Sequence, residues 1–143
     1  IKIITADHVE RNIGISKDYN VFELQKALTR NDVVKANRII NYFAQNPKNH
    51  PFAFTIINLF NYFSKVMTYH YLNGKSDREV AAILKIHPYF VSDYKNASRV
   101  FNKGRLVHII SLLREYDVKS KGVGNVSASE GQLLKELIYK IIH

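Results

Sequence analysis

Residues 51–72 read P-F-A-F-T-I-I-N-L-F-N-Y-F-S-K-V-M-T-Y-H-Y-L. Phe52, Ile56, Phe60, Phe63, Met67 and Tyr71 step by four or three, which draws one apolar stripe along a helix. Ile57, Leu59 and Val66 widen it. A helix apolar around most of its circumference is a central element of a bundle. Pro51 stands where proline is tolerated, in the first helical turn, and Asn73-Gly74 closes the segment. If Phe60 is fully buried there, its truncation to Ala costs about 3–5 kcal/mol.

Helical signals continue on both sides. Thr5 is placed to cap a short helix through about Ile13, with Asp7 in its first turn and Gly14 ending it. Asn20 and Glu23 have capping-box spacing, and Phe22, Leu24, Ala27 and Leu28 follow at helical intervals. Asn31 begins a third helix, with Asp32 in its first turn and Val34, Ile39, Tyr42 and Phe43 on its apolar side, which Asn46-Pro47 stops. After the central helix, Ser76 and Glu79 form another capping box for a helix through Leu84. His87-Pro88 starts the next, through Phe101.

Gly104 lies near the start of a further helix with Leu106, Ile109, Ile110, Leu113 and Tyr116 inward. Residues 120–129 read as a loop, and Ser127 or Ser129 caps a last helix carrying Leu133, Leu134, Leu137, Ile138 and Ile141. The expectation is an all-α bundle of about seven to eight helices. No apolar run reaches roughly 18 residues, so no membrane span is expected.

Composition narrows the chemistry. The 143 residues carry 21 Lys and Arg against 12 Asp and Glu, a net charge of +9, and no cysteine. A disulfide scaffold, a thiol nucleophile and a Cys-based zinc site are excluded. The positive excess favours an acidic or nucleic-acid partner, and a solvated basic surface accounts for it as readily. It ends before residue 123, after which two bases meet two acids.

There is no GxxxxGK[ST] loop for a nucleotide triphosphate and no HExxH motif. His8, His50, His70, His87, His108 and His143 include no pair three to five apart, so no helical metal pair exists. Asp117 falls near the inward stripe of its helix, where an ion pair with Lys119, Lys121 or a distant Arg is expected over a catalytic role. No catalytic, cofactor-binding or metal-binding residue is assigned.

Ser76 to Val91 reads S-D-R-E-V-A-A-I-L-K-I-H-P-Y-F-V. Helix-turn-helix units show this order, with Ala81, Ile86 and Val91 at the packing positions. In that reading, a free-standing DNA-binding domain of helices 76–84 and 88–101 presents Tyr89, Ser92, Lys95, Asn96 and Arg99 to a major groove. Any tight helix pair gives the same pattern. Lys85 stands where such a turn favours Gly or Asn, and Tyr89-Phe90 is bulky near a helix start.

With the helices in place, nearly the whole chain resembles the C-terminal part of the bacterial DNA polymerase III delta subunit, of the clamp-loader family. Asn20 to Leu28 resembles its N-V-F-E-L-x-x-A-L stretch. Asn31-Asp32 resembles a G-D segment, with Asn replacing the usual Gly. Gly74 to Val91 resembles a G-x-S-x-x-E-x-A-x-x-L-x-I-x-P-Y-F-V segment, and Leu112, Leu113, Asp117 and Lys119 fit a further one.

The resemblance implies that residues 1–18 end an AAA+ lid-like domain and that residues 19–143 form a helical collar domain. It implies association with gamma/tau-type and delta-prime-type subunits during DNA replication. Contact with the sliding clamp would run only through a preceding N-terminal domain. Residue 1 is Ile, and the chain is expected to be a piece of a longer protein.

The resemblance further implies a non-catalytic subunit that does not hydrolyse ATP, within a holoenzyme whose activity is that of a DNA-directed DNA polymerase. A bacterial cytoplasmic location with the nucleoid replication machinery follows from it. Tyr89 and Phe90 cannot both face inward from adjacent positions, so one of them is expected to touch another subunit. Lys119 and Lys121 precede the Gly-rich loop and are candidates for primer-template phosphates inside the assembled loader, though a solvated linker explains them as well.

Overall fold

A computed structural model describes residues 18–122 and 128–143. Seven α-helices follow in order: α1 (Val21–Thr29), α2 (Val33–Gln45), α3 (Phe52–Tyr69), α4 (Asp77–Leu84), α5 (Val91–Val100), α6 (Lys103–Ser120) and α7 (Glu130–Ile142). A 3-10 turn, Pro88–Phe90, precedes α5, and the described residues contain no strand. The all-helical expectation is met. The short helix read from Thr5 to Ile13, the lid-like segment and the Ser127 cap lie wholly or almost wholly outside the described residues.

Five of the seven described helices start where polar side chains serve the first free amides; α3 after Pro51 and α5 after Phe90 have no side-chain cap. Asn20 accepts from the Glu23 amide at 2.9 Å, Asn102 from Arg105 at 2.8 Å and Ser129 from Gln132 at 3.1 Å. At α4 the box is complete, with Ser76 and Glu79 exchanging bonds of 3.0 and 3.2 Å. At α1 the Glu23 carboxylate instead binds Lys35 at 2.8 Å and Lys26 at 3.3 Å, tying α1 to α2. Asp32 is itself the α2 cap, one residue later than expected.

Two helix ends close alike. Asn31 and Lys85 take left-handed backbone with φ of 56° and 58°. The amide of Asp32 reaches the Ala27 carbonyl at 2.8 Å, and that of Ile86 reaches Ala81 at 3.0 Å. Both are Schellman closures, which favour glycine at the left-handed position.

α3 packs along α6, and α2 along α7, around one core in which Phe43, Phe63, Phe101, Leu137 and Tyr116 are fully buried. α1 lies against α2 and α3. The inner face of α3 is rotated from the expected stripe. Phe52, Thr55, Ile56, Leu59, Tyr62, Phe63 and Val66 are buried, whereas Ile57 is exposed, Tyr71 is exposed beyond the helix end, and Phe60 is only half-buried with Arg114 5.9 Å over its ring. The full 3–5 kcal/mol loss conditional on Phe60 burial therefore does not apply. Phe22 and Val34, read as core residues, are also exposed.

α4, the 3-10 turn and α5 form a helix-turn-helix with a small core of Val80, Ala81, Leu84 and Val91. Tyr94 packs against both this cluster and the main core, which docks the unit onto the bundle. His87 Nδ1 accepts from the Tyr89 amide at 3.0 Å, fixing the 3-10 turn where a continuous helix was expected. No described helix is long and apolar enough to cross a membrane.

Candidate functional site

The docked helix-turn-helix leaves a groove of about 570 Å³ between α5 and α1, floored by α3. Its position follows from helix registers. Val21, Leu24, Ala27 and Leu28 turn α1 inward, which leaves Phe22, Lys26 and Arg30 outward along one wall. On the opposite wall, Val91 and Ala97 are the buried residues of α5, and Phe90, Asp93 and Val100 line the groove. Lys65 reaches it from α3.

Tyr62 and Tyr94 make the floor, with ring centroids 5.4 Å apart. The Tyr62 hydroxyl lies 2.7 Å from Thr29 Oγ1. Thr29 spends its own proton on the Gln25 carbonyl at 2.9 Å, so Tyr62 is the donor in the pair. Burial pushes Tyr94 up to about 12. Burial also raises Tyr62, opposed by its bond to Thr29 and helped by the nearby Asp93 charge. Both phenols therefore stay protonated at neutral pH, and the groove holds no activated base or nucleophile of their making. It offers shape, aromatic surface and charge.

Tyr89 and Phe90 stand at the groove's edge with their rings edge-on at 5.2 Å. Neither is buried: Tyr89 is 76% exposed and Phe90 46% exposed, and Phe90 lines the groove. Ser92, Lys95, Asn96 and Arg99 are all exposed on α5, and only Asn96 among them reaches the groove.

Lys119 and Lys121 lie at the far end of α6, bound to Glu115 and Asp117, each at 3.1 Å. Asp117 thus has the ion-pair role expected of it. Phe22, Lys26, Arg30, Lys65, Tyr62 and Tyr94 were not singled out from the sequence as site residues. For Phe22 a signal existed, since it falls off the register of Leu24 and Leu28.

The model of a known family, DNA polymerase III delta subunit, C-terminal domain, matches residues 18–140. The chain belongs to that family. Its fold is similar to that of the DNA clamp loader delta protein of Bacillus subtilis, with a TM-score of 0.71 and 20% identity. The likeness covers 95% of this chain and 39% of that one. No curated protein matches the chain.

For a delta C-terminal domain, the packing of α4 and α5 has a plain meaning. Ala81 and Val91 are buried, and Ile86 half-buried, in a cluster that packs on Tyr69 and Leu72 of the bundle and, through Tyr94 of α5, on the main core. The helix-turn-helix pattern is accounted for by packing within the domain, and a free-standing DNA reader is not favoured. No group of three or more His, Cys, Asp or Glu that could hold a metal occurs among the described residues.

Proposed function

We propose that this delta C-terminal domain is a collar domain that associates with other clamp-loader subunits during DNA replication. In that role it holds its parent in the complex that loads the sliding clamp on primed DNA. The partners are gamma/tau-type and delta-prime-type subunits, and residues 19–143 are the associating unit. The domain itself is non-catalytic.

One observation carries the reading. Phe22, Tyr89 and Phe90 are solvent-exposed around a groove, although thirty apolar residues among those described are already buried in the core. Exposed aromatics grouped beside a concavity are the composition of a protein interface. Lys119 and Lys121 meet primer-template phosphate in the assembled loader by exchanging Glu115 and Asp117 for it.

The test is Tyr89→Ala in a loader reconstituted with the other subunits. Assembly weakens while the circular dichroism and melting temperature of the chain hold. Unchanged assembly counts against Tyr89 as a contact.

A further inference from the structure

We infer that the groove between α1 and α5 receives an acidic amphipathic segment of a neighbouring protein subunit. Its apolar face lies against Tyr94 and Phe90 and its carboxylates face Lys26, Arg30 and Lys65. The inference rests on the association role proposed above and names the surface and the partner's chemistry.

Charge complementarity selects this occupant. The groove is lined by three cations, Lys26, Arg30 and Lys65, and one carboxylate, Asp93. Lys26 is partly neutralised by Glu23 at 3.3 Å. Arg30 and Lys65 have no carboxylate partner among the described residues. Phe22 on α1 and Phe90 in the 3-10 turn both line the groove, 64% and 46% exposed. They gain from losing water only against an apolar surface.

A helix laid in a groove supplies both features, with apolar anchors on one face and charges on its flanks. A phosphodiester backbone supplies the negative charge but has no use for the apolar floor.

The experiment compares the full chain with two variants, Lys26→Glu/Arg30→Glu/Lys65→Glu and Asp93→Asn. Binding to the remaining clamp-loader subunits is measured at low and physiological salt. Binding to a labelled (dT)15 oligonucleotide is measured in parallel. The triple variant is expected to lose affinity for the subunits by about tenfold or more, Asp93→Asn to gain about two- to fivefold, and wild-type binding to weaken with salt.

If wild type assembles and the triple variant assembles equally well, the groove inference fails and the association role stands. If wild type does not assemble, the association role itself fails, and this inference with it. Should the triple variant lose only oligonucleotide binding, the groove is a nucleic-acid site and the inference is overturned. Should the triple variant not fold, Asp93→Asn decides: a gain supports an acidic partner, and no change or a loss contradicts it.

Discussion

Gly131 in the first turn of α7 faces Ala44 on α2 so closely that a Cβ added at Gly131 would lie 2.9 Å from Ala44 Cβ and 3.4 Å from its Cα. This contact sets the spacing of the α2–α7 pair, which buries Ile40 and Phe43 on one side and Leu134 and Leu137 on the other. Gly131→Ala therefore overpacks the pair. A loss of about 1–2 kcal/mol is expected, because the overpacking strain outweighs what Ala gains in helix propensity. Urea unfolding measures it, and adding Ala44→Gly restores part of the loss if the clash is the cause.

Lys85 closes α4 in left-handed backbone, φ 58°, where a side chain is strained. Lys85→Gly is expected to stabilise the chain by about 0.5–1 kcal/mol, the relief of strain exceeding the entropy glycine adds to the unfolded state. Asn31→Gly gains less, since Asn tolerates that region better. Thermal melts of the two variants check the order.

Tyr62 donates to Thr29 across the groove floor at 2.7 Å. Tyr62→Phe removes that link between α1 and α3 and leaves a Thr oxygen that still donates to Gln25. The expected cost is about 0.5–1.5 kcal/mol in chemical denaturation, with the fold retained. A larger effect would show that the hydroxyl bridge holds α1 in place.

Alkaline stability follows from Tyr94. Its folded pKa is raised from the usual 10.0 to about 12, chiefly by burial. A raised folded pKa gives stability that is fully present below the unfolded pKa and lost as pH rises through the folded one. The melting temperature is therefore expected to fall between about pH 10 and 12. Tyr94→Phe flattens that fall if Tyr94 causes it, and an unchanged slope assigns it to other groups.

Much of the architecture was readable in the chain because caps and periodic stripes are local. Ser76, Glu79 and Ser129 act within three residues of themselves, and Leu133, Leu134, Leu137, Ile138 and Ile141 fill the core as their spacing requires. The rotation of α3 was not readable. Thr55 and Tyr62 look polar, yet they are buried on the inner face, and Tyr62 satisfies its hydroxyl on another helix thirty-three positions away.

Val34 looks like a core residue, and only the packing of α2 against α1 and α7 decides that its face turns outward. The groove was hidden for the same reason. Its lining comes from residues 22–30, 62–65 and 86–100, which meet only through tertiary packing. Tyr89-Phe90 was visible as an anomaly because two adjacent bulky rings cannot share one buried face, and both prove exposed.

In the proposed collar role, this domain joins other clamp-loader subunits without needing DNA. Sedimentation velocity of the chain mixed with gamma/tau-type and delta-prime-type subunits, at physiological salt and with no nucleic acid, tests it most directly. A single faster-sedimenting complex that contains the chain in fixed stoichiometry is expected. Separate boundaries for the chain and the subunits, together with steeply salt-dependent binding of the chain alone to duplex DNA, would contradict it.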